Sequence, residues 1–422
     1  METPTPLQAP VCILGGGPGG STVAMQLARH GVQAVLLEKA SFPRDKVCGD
    51  ALSGKVMRTL ERLDPALAAE VKRDGQAMPS WGVTFVAPNG RSLRVPFSRE
   101  IGVGEAPGVI LPRMRFDELL FQHAGKAPGI TVLEGTMAKT FERTPQGWRV
   151  EAQRGGERIA ITSRLIIDAS GANSSFARHM AGLPMEPRHH AAGVRAYFRG
   201  VQGLDPKGFI ELHFLPELLP GYLWIFPLPE GRANVGLGLR SDMVRQRKVD
   251  VKALFHELLV THPTLKERFS AAVVEGPVQG MGLPLASKRY PLSGDGYLLV
   301  GDAGHLIDPF TGEGISHAMI SGMHAADVAA DMVKRDVVTA SEAKQYEARV
   351  WRRLGQEVAI STRLQQLSFK PWLFNFVVDR ANHNPALADT ISSMFTDLDL
   401  RARLKKPGFY MDLVLGRGQK RN

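Results

Sequence analysis

Residues 11–38 constrain the fold more than any other part of the chain. Val11-Cys12-Ile13-Leu14 is a short apolar run that leads without a break into Gly15-Gly16-Gly17-Pro18-Gly19-Gly20. Ser21 to Gly31 has helical composition and closes on a glycine, where a helix C-cap belongs. A second apolar run, Ala34-Val35-Leu36-Leu37, then ends on Glu38 and Lys39. Strand, helix and strand within about thirty residues make the opening unit of a dinucleotide-binding fold. Gly15, Gly17 and Gly20 have the spacing that permits a tight turn, close approach of the backbone to a pyrophosphate, and close packing of helix on strand. With Pro18 and Gly19 they open a helix whose first N–H groups are free to meet phosphate. Glu38 follows Gly20 by 18 residues, where a carboxylate accepts hydrogen bonds from an adenosine ribose. A carboxylate there, rather than an arginine, favours FAD or NAD over NADP.

A second constellation separates FAD from NAD. Tyr297-Leu298-Leu299-Val300-Gly301-Asp302-Ala303-Gly304-His305, followed by Pro309-Phe310-Thr311-Gly312-Glu313-Gly314-Ile315, resembles the second flavin fingerprint of the glutathione-reductase-like flavoproteins, above all their aromatic hydroxylase branch. The resemblance implies that Asp302 holds the ribityl chain of FAD. It also implies that Gly312, Gly314 and Ile315 open a helix facing the flavin ring, whose N-terminus stabilises the negative charge of the reduced ring. Leu165 to Ser175 is similar to the central Asp-Gly motif of that branch, except that Ser170 stands where an Asp usually precedes Gly171.

Two further segments resemble the geranylgeranyl reductases, FAD enzymes that saturate isoprenoid double bonds. In Phe42-Pro43-Arg44-Asp45-Lys46-Val47-Cys48-Gly49-Asp50-Ala51 the resemblance places Arg44 near the cofactor and Cys48-Gly49 beside the isoalloxazine, and counts Asp50 among the cofactor contacts. Pro220-Gly221-Tyr222-Leu223-Trp224-Ile225-Phe226-Pro227 carries a Tyr-x-Trp-x-Phe-Pro pattern, and Leu111 to Asp117 places Arg113 at a cofactor-contacting position. Alternation along the strand sets Tyr222, Trp224 and Phe226 on one face and Leu223 and Ile225 on the other. An aromatic face suits the wall of a tunnel for a long polyene and equally an ordinary sheet core; the resemblance turns the reading toward the tunnel. Cys48 is either small buried filler or a thiol that donates a proton or shapes the pocket. Cys48, Tyr222 and Trp224 are therefore the candidate catalytic residues.

The resemblance runs in matching order from residue 11 to about 335 and implies an α/β architecture. A Rossmann-like FAD-binding domain of the three-layer ββα, hydroxylase type is expected over 1–75, 105–185 and 280–335. An α+β antiparallel-sheet substrate-binding domain is interleaved over 76–104 and 186–279, and a helical region follows over 336–422. Within this frame the residues predict a β-meander from 131 to 167, four strands between 191 and 240, and a long charged helix from 241 to 270.

The implied activity is hydride transfer from reduced flavin, with a proton, to an isoprenoid C=C bond. A monooxygenase or halogenase of the same superfamily is the alternative, although halogenases carry a Trp-rich motif ending in Ile-Pro in place of Tyr-x-Trp-x-Phe-Pro. A non-catalytic prenyl-binding protein is another. The sequence has one Gly-x-Gly-x-x-Gly unit in a strand–helix context, so the electron donor, NAD(P)H or reduced ferredoxin, is expected to bind transiently. The histidines, including His189, His190, His213, His305 and His317, show no metal-ligand spacing, and no metal is expected.

With 52 Lys+Arg against 42 Asp+Glu the formal charge is +10, which invites an anionic partner. The excess concentrates in residues 401–422, where Arg401, Arg403, Lys405, Lys406, Arg417, Lys420 and Arg421 oppose only Asp412 and mingle with Phe409, Tyr410 and Leu413. That mixture predicts contact with an anionic membrane surface rather than nucleic acid. Two cysteines cannot build a disulfide framework, and neither a signal peptide nor a stretch of ~18 apolar residues is present. A cytoplasmic protein, peripheral on the inner face of a membrane, is the expectation.

Overall fold

The computed structural model describes residues 6–384 except residue 99. Its centre is a six-stranded sheet in the order Ser293–Gly294, Tyr297–Leu299, Leu165–Asp168, Val11–Leu14, Ala34–Leu37 and Ile130–Leu133, parallel except for the first pair. Val11 lies opposite Ala34 on one side and Leu165 on the other. All four residues of Val11–Leu14 are buried, as a parallel strand covered on both faces requires.

Alternation along that strand divides two cores. Val11 and Ile13 face the helices Pro18–Arg29, Arg113–Lys126 and Ile315–Lys334, meeting Val23, Leu27, Phe116, Leu120 and Met319. Cys12 and Leu14 face a meander of Thr136–Thr144, Gly147–Arg154 and Glu157–Ser163, meeting Trp148, Val150 and Phe176. Meander, parallel sheet and helices are the three layers expected from the sequence.

A seven-stranded sheet stands apart, in the order Val273–Pro284, His190–Arg199, Arg232–Arg240, Tyr222–Leu228, Ile210–His213, Gly82–Val86 and Ser92–Pro96. The strand Tyr222–Leu228 divides its residues as predicted: Tyr222, Trp224 and Phe226 join one core, and Leu223 and Ile225 join another against Phe255 and Leu258. A small sheet of Ala51–Leu52, Gly108–Ile110 and Met78–Ser80 carries the chain between the two larger ones.

One local expectation fails. The stretch 241–270 is three helices, Ser241–Arg247, Val251–Thr261 and Lys266–Phe269, rather than one. Lys248 takes the left-handed conformation (φ 53°) and ends the first, and the Asp250 side chain caps the second by accepting from Lys252 and Ala253 N–H groups. The structure adds a twelve-residue strand, Val273–Pro284, whose three glycines and internal proline obscure its alternation in the sequence. Beyond Ile315 the described residues are helical over Ile315–Lys334, Ala340–Leu367 and Pro371–His383. The basic segment 401–422 lies outside the described residues. Among those described, no helix is long and apolar enough to cross a membrane.

Candidate functional site

A cavity of about 660 Å³ opens at the carboxyl ends of the parallel strands and extends to the aromatic face of the seven-stranded sheet. Its outer part is built by the glycine turn. Gly15 has φ +93°, and a Cβ there would fall 2.6 Å from the Ala169 carbonyl oxygen. A Cβ on Gly20 would lie 1.8 Å from the Gly15 carbonyl oxygen, so turn and helix touch backbone to backbone. No side chain caps the N-terminus of Pro18–Arg29 at Gly17. Gly17, Pro18 and Gly19 therefore present a bare helix end to the cavity wall. Beside it, Glu38 is 5% exposed and held by N–H groups of Gly16 (2.8 Å to Oε2) and Ala40 (2.9 Å to Oε1). Lys39 is exposed at the rim, and Arg44 stands 4.0 Å from Glu38 while bonding Asp117 at 2.7 Å.

The inner part gathers the remaining candidates. Arg113 is buried and grips Asp117 through two hydrogen bonds of 2.6 and 2.7 Å. Its guanidinium also meets the Cys48 thiol; burial pushes that thiol up from its ordinary value, against the opposing pull of Arg113. Asp302 lines the cavity and pairs with Lys46 at 3.4 Å. Gly312 (φ +70°) has no room for a Cβ, which would lie 2.7 Å from the Tyr222 oxygen, and the Tyr222 hydroxyl donates to the Thr311 carbonyl. Trp224 donates through Nε1 to Asn234 (2.9 Å), and Asn234 donates to the Cys48 carbonyl (2.9 Å). Phe226 packs so tightly on Gly49 that a Cβ there would lie 2.5 Å from the ring. Cys48, Tyr222 and Trp224 thus line one cavity with Gly312, Gly314 and Ile315.

Two candidates do not line the cavity. Gly20 serves the helix–turn contact behind it. Asp50 is wholly buried, its Oδ1 accepting from the Arg113 backbone N–H at 3.1 Å, and desolvation raises its pKa to about 6.

Lys46, Asp117 and Asn234 carry the geometry without having been singled out. An asparagine within the apolar run Ala233 to Leu239, and an Arg–Asp pair four residues apart on one helix, were the available signals. Another group was out of reach of sequence spacing. Asp308, His317 and Glu357 bring one polar atom each within 4.8 Å of one another, and Lys55 bonds Glu357 and already supplies a cation. The other histidines disperse: His189 to Ser287, His190 to Ser241, and His213 to Glu211, each at 2.9 Å.

A bare helix end, a backbone-tight glycine turn and a buried carboxylate along one extended wall fit a dinucleotide, and the wall is long enough to continue past Asp302 to the aromatic strand. Comparison with known proteins agrees. The FAD binding domain family matches residues 8–206. Digeranylgeranylglycerophospholipid reductase 1 of Methanopyrus kandleri is 31% identical over 345 residues, covering 80% of this chain and 85% of that protein. The digeranylgeranylglycerophospholipid reductase of Methanocaldococcus jannaschii is 30% identical over 406 residues, 94% of each chain. Among solved structures, a geranylgeranyl bacteriochlorophyll reductase-like protein from Thermoplasma acidophilum superposes with a TM-score of 0.79 at 25% identity, over 98% of this chain and 99% of that one. A flavin-dependent brominase shares the fold, with a TM-score of 0.76 at 20% identity over 97% and 98% of the two chains.

Proposed function

The chain belongs to the geranylgeranyl reductase family of FAD-dependent oxidoreductases, and from that premise we propose that it reduces C=C bonds in the isoprenoid chain of a prenyl lipid. Gly15, Gly17, Pro18 and Gly19 would hold the pyrophosphate of FAD, Glu38 the adenosine ribose, and Asp302 the ribityl chain. Gly312, Gly314 and Ile315, with Cys48 and Gly49, would border the ring. When reduced, that cofactor supplies hydride at N5.

The protein's own groups supply the rest. An isoprenoid alkene is unactivated, so accepting a proton leaves strong cationic character on carbon. The rings of Tyr222 and Trp224, which line the cavity, would stabilise that charge. The hydroxyl of Tyr222 is committed to Thr311 and burial raises its pKa, so its ring rather than its proton is on offer. Cys48 is the proton donor in this reading. Its raised pKa keeps it a thiol at neutral pH, and the Arg113 guanidinium beside it stabilises the thiolate left after transfer. The new C–H bonds take one proton and one hydride, and solvent restores the thiol. NAD(P)H or reduced ferredoxin would recharge the flavin.

The observation that carries the proposal is the convergence of Cys48, Tyr222 and Trp224 on the cavity that the glycine turn opens. Reduced holoenzyme incubated with geranylgeranyl diphosphate or a geranylgeranylated lipid should yield product heavier by two hydrogens per bond. C48A should slow turnover by roughly 10²-fold or more with flavin retained. Unchanged product mass with every prenyl substrate offered would sink the assignment.

A further inference from the structure

We propose that the helix Pro371–His383 and the turn before it seat the protein on an anionic lipid bilayer, next to the apolar end of the cavity. The inference rests on the prenyl-lipid reading above for its purpose, though not for its geometry.

The helix has two apolar faces where one would suffice. Phe374, Val378 and Ala381, at helical spacing, pack into the core on the aromatic side of the seven-stranded sheet. On another face Trp372 is 65% exposed and Phe376 is 38% exposed, and the preceding turn adds Phe369 and Leu367. Fourteen large apolar side chains are exposed among the described residues, and these four fall within ten positions. The group also holds every exposed Phe and Trp ring of the described residues, so it is a patch and not the usual scatter.

Charge identifies the partner. The Arg380 guanidinium lies over the Phe376 ring at 5.4 Å, and that of Arg240, shared with Asp242, lies over Phe369 at 4.8 Å. Lys370 and Arg363 are exposed in the same stretch. Asp379 is the only acid between residues 358 and 384, and Arg91 pairs with it. Trp and Phe flanked by Lys and Arg, with little opposing charge, suit the headgroup level of an anionic membrane: the rings enter the acyl boundary and the cations stay at the phosphates.

Position supplies the third argument. The Phe374 ring is 4.1 Å from Phe214, which is 5.8 Å from Phe310 and 5.5 Å from Tyr222 on the cavity wall. The exposed patch and the aromatic end of the cavity are therefore separated by the helix and one layer of aromatic rings. A long isoprenoid chain resides in the bilayer, and an enzyme that takes it up gains from standing there with its apolar end down.

The test uses full-length, flavin-loaded protein and vesicles of phosphatidylcholine with or without phosphatidylglycerol. Wild type should sediment with the anionic vesicles, and W372E/F376E should bind them at least about tenfold more weakly with flavin retained. K370E/R380E should lose the preference for phosphatidylglycerol. Lipids brominated on the acyl chain should quench tryptophan fluorescence in wild type and markedly less in W372F. The same loss should appear when W372E/F376E is placed in a chain ending at residue 400, which separates this patch from the basic tail. Equal vesicle binding by wild type and W372E/F376E overturns the proposal, as does a substitution that abolishes self-association in solution while leaving vesicle binding intact. If vesicle binding behaves as stated and no prenyl substrate is reduced, the docking surface stands and the reading of the reaction falls.

Discussion

At Gly20 a methyl group has nowhere to go, because the obstacle 1.8 Å away is backbone rather than a movable side chain. G20A should therefore push the helix off the turn, costing roughly 3 kcal/mol and releasing flavin. Thermal melting and the flavin-to-protein absorbance ratio of the purified protein measure both. The same crowding explains why the cradle is legible in sequence: only glycine satisfies positions 15 and 20, which lie within six residues. His317 is the opposite case. Its Nδ1 lies 2.6 Å from the Leu306 carbonyl and must donate there, so a neutral ring would turn a lone pair at Nε2 toward Asp308 and Glu357. Burial opposes a charge on the ring, yet Glu357, 3.8 Å away, and Asp308 raise its pKa above the ordinary 6.5. The contribution to stability is thus complete below 6.5 and lost as pH climbs through the higher folded value. Glu357 behaves inversely. Burial again opposes ionisation, but His317 and Lys55 hold its carboxyl down at about 2, so its contribution is present above 4.5 and is lost as pH falls toward 2. Melting temperature followed against pH should fall on both flanks; H317Q should flatten the alkaline flank and E357Q the acid one. Identical profiles for H317Q and wild type would refute the charge assignment. Nothing in the spacing of these residues announces the cluster, since Glu357 comes from a helix forty positions further along.

Elements show why one strand could be read correctly and its neighbour not at all. Tyr222–Leu228 alternates aromatic and aliphatic residues, and each set enters its own core. Val273–Pro284, an edge strand of the same sheet, is mostly half-buried or exposed and rich in glycine, so it lacks the alternation that sequence reading depends on. The joining feature of the aromatic strand is also invisible in its own residues. Asn234, on the adjacent strand Arg232–Arg240, links the Trp224 indole to the Cys48 carbonyl and thereby ties the sheet to the Cys48–Gly49 loop that lines the cavity. N234L fills similar volume but leaves the buried Trp224 N–H unpaired, at about 1–3 kcal/mol, and strips the half-buried Cys48 carbonyl of its partner. Its expected signature is a lower melting temperature and slower turnover with flavin still bound. A variant that turns over normally would remove Asn234 from the positioning of Trp224. The broken helices of 241–270 carry a similar lesson: composition promised a continuous helix, and the breaks at Lys248 and Asp250 come from a left-handed residue and a capping side chain, signals of single residues within a helical window.

At the scale of the whole molecule, the cofactor site belongs to no contiguous piece of chain. Residues 8–206 match the FAD binding domain family, yet the cavity also needs Asp302, the Gly312–Ile315 wall and the strand Tyr297–Leu299. A fragment of residues 1–206 should consequently fail to retain flavin, while the full chain retains it; absorbance after desalting decides the point. The general architecture was legible because each flavin motif sits on its own short strand–turn–helix signal, whereas the pairing of distant strands was supplied only by resemblance. That sheet order has a further consequence during synthesis. The strand Val11–Leu14 leaves the ribosome some 150 residues before its neighbour Leu165–Asp168 and nearly 290 residues before the strand beyond that, Tyr297–Leu299. Until both have been made, the nascent chain carries the open edge of its most apolar sheet. Helpers that shield such an edge should matter most to this protein while it is still attached to the ribosome, well before any flavin can close the site.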